Sequence, residues 1–159
     1  MSETTGTVTL TTPTEREIVL TRVFDAPRGR VFDALTRPEL LERWHGPHGW
    51  SLVVCEVDLR PRGTYRFGWR RRADAAAMGM RGVYREVAPP ERLVHTERFD
   101  RPWYPGEAVI TTVLAERDGR TTLTATQRYE SRAARDLALA SPMGDRLAES
   151  YDKLAEMFG

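Results

Sequence analysis

The stretch that decides the fold is MGDRLAESYDKLAEMF, residues 143–158. Leu147, Tyr151, Leu154 and Phe158 recur at intervals of three and four, so one face of a long helix is apolar and the other is charged. Such a helix needs a surface to lie on. Working back from it, the spacing predicts a short helix over Ala133 to Ala140, interrupted at Ser141-Pro142. Before that come six strands in succession: Ser51 to Leu59, Thr64 to Arg70, Met80 to Val87, Arg92 to Phe99, Glu107 to Glu116 and Arg120 to Tyr129. Asp118-Gly119 between the last two is a hairpin signal. Arg16 to Phe24 reads as a first strand, and two small helices follow, one begun at Pro27 with Val31, Phe32 and Leu35 on its apolar face, the other at Pro38 with Leu40, Leu41 and Trp44. Residues 1–14 read as a disordered leader. The expectation is an α+β domain over residues 15–159, with a curved antiparallel sheet of about seven strands wrapped around the long C-terminal helix.

The totals narrow the function. At 159 residues, 40% hydrophobic and 30% charged, the chain suits one globular domain. A net charge of +1 gives no general pull toward nucleic acid. No apolar run reaches the roughly 20 residues of a membrane helix, and the Thr-rich start is not a signal peptide, so a cytoplasmic location is expected. The single cysteine, Cys55, excludes an internal disulfide and reads as a small buried hydrophobe. His45 and His48 straddle the helix-ending Gly46-Pro47, poor geometry for a metal pair.

The strand faces suggest a hollow interior. Tyr65, Phe67 and Trp69 alternate on one face, with Arg66 and Arg70 opposite. Leu93 and His95 share a face, as do Val109, Thr111 and Val113, and Leu123, Ala125, Gln127 and Tyr129. Aromatic bulk with polar groups such as Thr111, Gln127 and His95 is a pocket lining, although an aromatic stripe is also how a solid core is built. His95 and Glu97 fall on one face and form a candidate acid/base pair. A buried Glu97 requires a partner, and an arginine across the sheet is the expected one. The loops Arg72 to Gly79 and Phe99 to Gly106, the latter carrying Trp103 and Tyr104, are candidate gates. Arg60, Arg62, Arg66, Arg70, Arg71 and Arg72 make one hairpin basic.

Several motifs then carry a family likeness. The run Thr21-Arg-Val-Phe-Asp-Ala-Pro27 with Val31-Phe32 and Pro38-Glu39, the Arg43-Trp44-His45-Gly46-Pro47 segment, the turn in Cys55-Glu-Val-Asp-Leu-Arg-Pro-Arg-Gly-Thr-Tyr65, the hairpin from Arg81 to Leu93, and Glu149-Ser150 to Leu154 together resemble the heat-shock-protein-90 ATPase activator homologue family. That family is similar to START and birch-pollen-allergen proteins (the SRPBCC, polyketide cyclase-like superfamily). The resemblance spans about residues 16–158. It implies a helix-grip fold with a cavity between sheet and long helix. The sequence departs from the pattern at His45, where a second tryptophan is common, at Arg62, where a turn glycine is usual, and at Arg146-Leu147, where a Gly-Trp pair is usual.

Under that resemblance the expected function is non-catalytic binding of a small hydrophobic or aromatic molecule, for transport, sequestration or self-resistance. The expected ligand-binding residues are Trp44, His45, Trp50, Tyr65, Phe67, Trp69, Met80, Tyr84, His95, Trp103, Tyr104, Gln127, Leu147 and Tyr151. One alternative is a polyketide cyclase or aromatase using His95 and Glu97. Another is a chaperone-regulating or other protein-interaction module working through the basic hairpin. No cofactor, metal, nucleic acid or membrane partner is expected, and a homodimer is compatible with the sequence.

Overall fold

The computed structural model of the protein describes residues 7–158. Twelve elements follow one another among them: β1 (Thr9–Thr11), β2 (Glu17–Phe24), α1 (Arg28–Thr36), α2 (Pro38–Trp44), β3 (Trp50–Val57), β4 (Thr64–Arg71), β5 (Ala77–Ala88), β6 (Arg92–Phe99), β7 (Ala108–Arg117), β8 (Arg120–Arg128), α3 (Arg132–Ala140) and α4 (Met143–Glu156). The strands make one antiparallel sheet in the order β1-β2-β8-β7-β6-β5-β4-β3. This is the helix-grip arrangement. The pairing of β2 with β8 brings the first long strand beside the last, after the chain has meandered away to β3.

Two corrections concern the ends of elements. Of the leader expected over residues 1–14, residues 1–6 lie outside the described part, and Thr9–Thr11 pairs with Val19–Thr21 as an eighth strand. The small-residue segment 72–79 is not a loop throughout. Strand β5 already begins at Ala77, and Arg71 closes the turn by pairing with Asp74 at 2.7 Å. Alanine and glycine hid a strand whose stabilising pairs are made by the methionines between them.

Alternation sorts β2 and β4 cleanly: Ile18, Leu20, Arg22 and Phe24 are buried, as are Tyr65, Phe67 and Trp69. On β7 the inward set is Ala108, Ile110, Thr112 and Leu114. The expected row of Val109, Thr111 and Val113 therefore faces the other way, because both residue sets mix Val, Ile, Thr and Ala and the composition carries no phase. The register shifts between Leu52 and Val54 and between Tyr84 and Glu86. Bulges of this kind bend the strands that carry them.

Helix α4 lies against this surface. Tyr151 meets Phe24 edge-on at 6.0 Å and Trp44 at 6.2 Å, and Leu154 is fully buried. Polar ties fix its C-terminal half: buried Arg22 pairs with Asp152 at 2.6 Å, and Lys153 donates to the Gly46 carbonyl at 3.0 Å. A second apolar cluster, with Ile18, Tyr104, Ile110, Tyr129, Ala138 and Met143, packs α3 and the start of α4 against the other end of the sheet.

Candidate functional site

Between α4 and strands β4–β8 lies a cavity of about 150 Å³. Its aromatic wall is built from β4. Tyr65, Phe67 and Trp69 stand at successive ring spacings of 5.0 and 6.0 Å, and Tyr84 of β5 lies 5.3 Å from Tyr65. The α2 end is held by Trp44, whose indole N–H donates to the Ala34 carbonyl at 2.8 Å. His45 follows at the helix end, its ring 4.9 Å from Trp44, 5.1 Å from Phe67 and stacked on Trp69 at 5.3 Å. Gly46 has a positive φ of 115°, and a Cβ there would come within 2.8 Å of the Trp69 ring, so only glycine lets the chain turn against that indole.

Polar groups project into the same space. The Tyr65 hydroxyl lies 3.2 Å from His95 Nδ1 and donates to the Thr96 carbonyl. It crosses β5 at Gly82, where a Cβ would fall 2.6 Å from the phenol ring. His95 is thus positioned by a tyrosine and its own neighbouring carbonyl, not by Glu97. Burial holds the imidazole down at about 4, against the opposing pull of the Thr96 carbonyl. His45 is held at about 3, first by burial and then by the Lys153 charge, and its buried Nδ1 has no hydrogen-bond partner among the described residues. Both imidazoles are neutral at pH 7. Gln127, which lines the cavity, accepts from the Tyr129 hydroxyl at 2.9 Å through Oε1.

Glu97 is the unusual member. It lines the cavity, and no charged or hydrogen-bonding partner among the described residues offsets its burial. The arginine expected across the sheet is absent because the arginines of β4 and β5 point to the opposite face, where Arg66 and Arg81 engage Asp100. Burial raises the Glu97 carboxyl from 4.5 to about 7.

Of the residues expected to bind ligand, Trp44, His45, Tyr65, Phe67, Trp69, Met80, Tyr84, His95, Trp103, Gln127, Leu147 and Tyr151 line the cavity. Two do not. Trp50 stands outside it, with the guanidinium groups of Arg71 and Arg146 over its ring at 5.3 and 6.0 Å. Tyr104 turns away into the second cluster and meets Tyr129 edge-on at 4.8 Å. The outward Thr111 is replaced by Thr112, Met78 and Phe99 were missed, and Arg146, noted in the sequence as a departure from the family pattern at the pocket entrance, joins the lining. Each had a signal: Met78 alternates with Met80, Phe99 with Glu97, and Arg146 lies one turn from Met143 and Ser150 on the helix.

The other candidates lie elsewhere. Burial, chiefly, pushes the half-exposed Cys55 thiol up to about 11, which opposes a nucleophilic role. In the basic hairpin Arg60, Arg66 and Arg71 are ion-paired with Asp58, Asp100 and Asp74. Among the described residues no three His, Cys, Asp or Glu side chains gather as a metal group, and no helix is long and apolar enough to cross a membrane.

Comparison with known proteins agrees with the fold. Residues 25–159 match the family described as Activator of Hsp90 ATPase homolog 1-like protein. A protein of Rhodobacter sphaeroides with 29% identity superposes with a TM-score of 0.88 over 94% of this chain and 96% of that one. A protein of Chromobacterium violaceum, also 29% identical, gives 0.77 over 91% and 98%. An HSP90 activator of Plasmodium falciparum, 19% identical, shares the fold at 0.54 over 71% and 72%. No curated protein matches the chain.

Proposed function

The chain belongs to the Activator of Hsp90 ATPase homolog 1-like family, and within it we propose that this member binds one small hydrophobic or aromatic molecule in its internal cavity. The observation that carries this reading is a cavity walled by Trp44, Tyr65, Phe67, Trp69, Tyr84 and Tyr151, bordered by the buried His45 Nδ1, which has no hydrogen-bond partner among the described residues, and by the Glu97 carboxyl, which burial raises to about 7. An apolar cavity of about 150 Å³ admits a benzene-sized ring. A buried polar atom without a partner costs free energy, and a ligand group that satisfies it recovers that cost on binding. The ligand is held by apolar burial and oriented by those groups. A transport, sequestration or self-resistance role is the function this reading proposes for such binding.

The test is thermal melting against a panel of one- to three-ring aromatic compounds. At a 100-fold excess over Kd a ligand stabilises by about 2.7 kcal/mol, a rise of roughly 5–10 °C for a domain of this size. Ala125 lines the cavity and is buried, so an Ala125→Phe variant fills it and abolishes the shift. A panel that leaves both proteins unmoved counts against the reading.

Glu97 favours a second reading. A carboxyl titrating near neutral pH inside an apolar site is suited to general acid/base work. The enzyme alternative then rests on Glu97 alone, since His95 is not paired with it. Turnover of a bound carbonyl compound that is lost in Glu97→Gln, with binding retained, supports that reading; retained turnover refutes it. A chaperone-regulating role, suggested by the Plasmodium relative's name, predicts instead a stable complex with a chaperone that Ala125→Phe leaves intact.

A further inference from the structure

Among the described residues that line the cavity, Arg146 of α4 is the only lysine or arginine. Its guanidinium lies 5.4 Å from the Trp103 ring centre and 6.0 Å from that of Trp50, and Nη1 donates to the Met78 sulfur at 3.6 Å. These contacts fix the group in place without neutralising it. The indole faces attract a cation but accept no strong hydrogen bond, and a thioether is a weak acceptor. No carboxylate among the described residues forms an ion pair with Arg146, whereas Glu149, one turn further along the helix, is engaged by the His48 backbone N–H at 3.0 Å. A guanidinium carries five N–H donors, so most of those on Arg146 have no protein acceptor.

Its position is as informative as its charge. Arg146, Trp103, Met78 and Leu147 are only half-buried, whereas Leu93, Ile110, Ala125 and Gln127 at the sheet are buried. The cation therefore stands where the cavity opens, with the aromatic wall behind it. A molecule entering with its apolar part first leaves its outer end at the guanidinium.

We propose that the ligand is an amphiphilic organic acid, with its apolar body in the aromatic cavity and its carboxylate held by Arg146 between Trp50 and Trp103. This rests on the cavity reading above and names the ligand class. A carboxylate matches the planar fork of an arginine in two parallel hydrogen bonds, and a partly desolvated site strengthens both.

The experiment compares two one-ring probes of the same shape, 3-phenylpropionate and 3-phenylpropanamide, by tryptophan fluorescence titration at pH 7.5. The expected result is that the acid binds about ten-fold or more tightly than the amide, the scale of one charge-assisted pair. Arg146→Gln brings the acid-to-amide ratio to about one, and Arg146→Lys, which keeps the charge but not the fork, leaves an intermediate ratio. Measurable amide binding to each variant confirms that it is folded. Equal binding of acid and amide by the wild type, or an acid preference that survives in Arg146→Gln, overturns the proposal while leaving the cavity reading in place. Failure of both probes to bind, with no compound of the melting panel shifting the protein, overturns both.

Discussion

Glu97, near the end of β6, and Asp100, just beyond it, lie three residues apart on opposite faces of the sheet, and their carboxyls meet opposite fates. On the outer face Asp100 receives Arg66 at 2.6 Å and Arg81 at 3.5 Å. The pair crosses β5 over Gly79, where a Cβ would fall within 2.9 Å of an Arg66 nitrogen. The Arg66 hydrogen bond holds Asp100 below the usual carboxylate range. On the inner face Glu97 lines a largely aromatic cavity with no cation paired to it among the described residues, and burial pushes it up to about 7. The outer polar groups are satisfied by the chain itself. On the inner face Tyr65, His95 and Gln127 have protein partners, while His45 Nδ1 and the Glu97 carboxyl have none among the described residues, and both border the cavity. What separates the two carboxyls is whether the fold supplies a cation to pair with them.

The largest effect belongs to the inner wall. Trp69 is buried, stacks on His45 and donates to its carbonyl at 3.3 Å. Trp69→Ala is expected to cost about 3–5 kcal/mol in urea unfolding. Val53→Ala, on the outer side at 55% exposure, should cost less than about 0.5 kcal/mol. Comparable losses at the two positions would break the comparison.

Glu97→Gln should stabilise the protein above pH 7. The folded-state pKa is raised from 4.5 to about 7, so the native state holds the proton more tightly than the unfolded chain. Its penalty is absent below about 4.5, grows as pH rises and is complete above about 7. The full shift corresponds to about 3 kcal/mol at most. Unfolding at pH 8 and pH 4 measures it: a gain at pH 8 with none at pH 4 is expected, and a loss at pH 8 would reveal a partner for the carboxylate.

The histidines act in the opposite sense. His45 and His95 are depressed to about 3 and about 4, so the unfolded chain takes up protons first. The stability they confer by staying neutral is complete above about pH 6.5 and is lost as pH falls toward those values. Between about pH 4.5 and 6.5 the Glu97 and histidine slopes oppose each other in the wild type. Glu97→Gln should uncover the histidine slope, with stability then rising with pH across that window. A pH–stability curve parallel to the wild type's would contradict the assignment.

Asp100→Asn should be milder than either change at the inner wall. It weakens the two partly exposed ion pairs to Arg66 and Arg81, together worth about 1 kcal/mol or less and weaker at high salt.

This contrast also marks what the sequence made legible. The order of long elements, the aromatic row of β4 and the apolar face of α4 followed from periodicity, because each has large residues on one phase and charges on the other. The phase of β7 did not, since Val109, Ile110, Thr111 and Thr112 look alike from either side. Trp50 and Tyr104 were misplaced because an aromatic near a turn can fold toward the cavity or away from it, and local spacing does not decide which. Arg146 stood out only as a departure from the family pattern and not as a ligand-binding residue, because a charge on a helix normally marks the solvent side. The isolation of Glu97 is a property of three dimensions: it depends on neighbouring arginines all sharing the opposite face.

The most direct test of the central claim, a cavity that holds a small molecule, is native mass spectrometry of the protein purified from its own host, beside the cavity-filling Ala125→Phe variant. The account predicts a reproducible added mass of a small organic acid on the wild type and a bare polypeptide mass for the folded variant. Bare masses for both, or the same added mass on both, would contradict it.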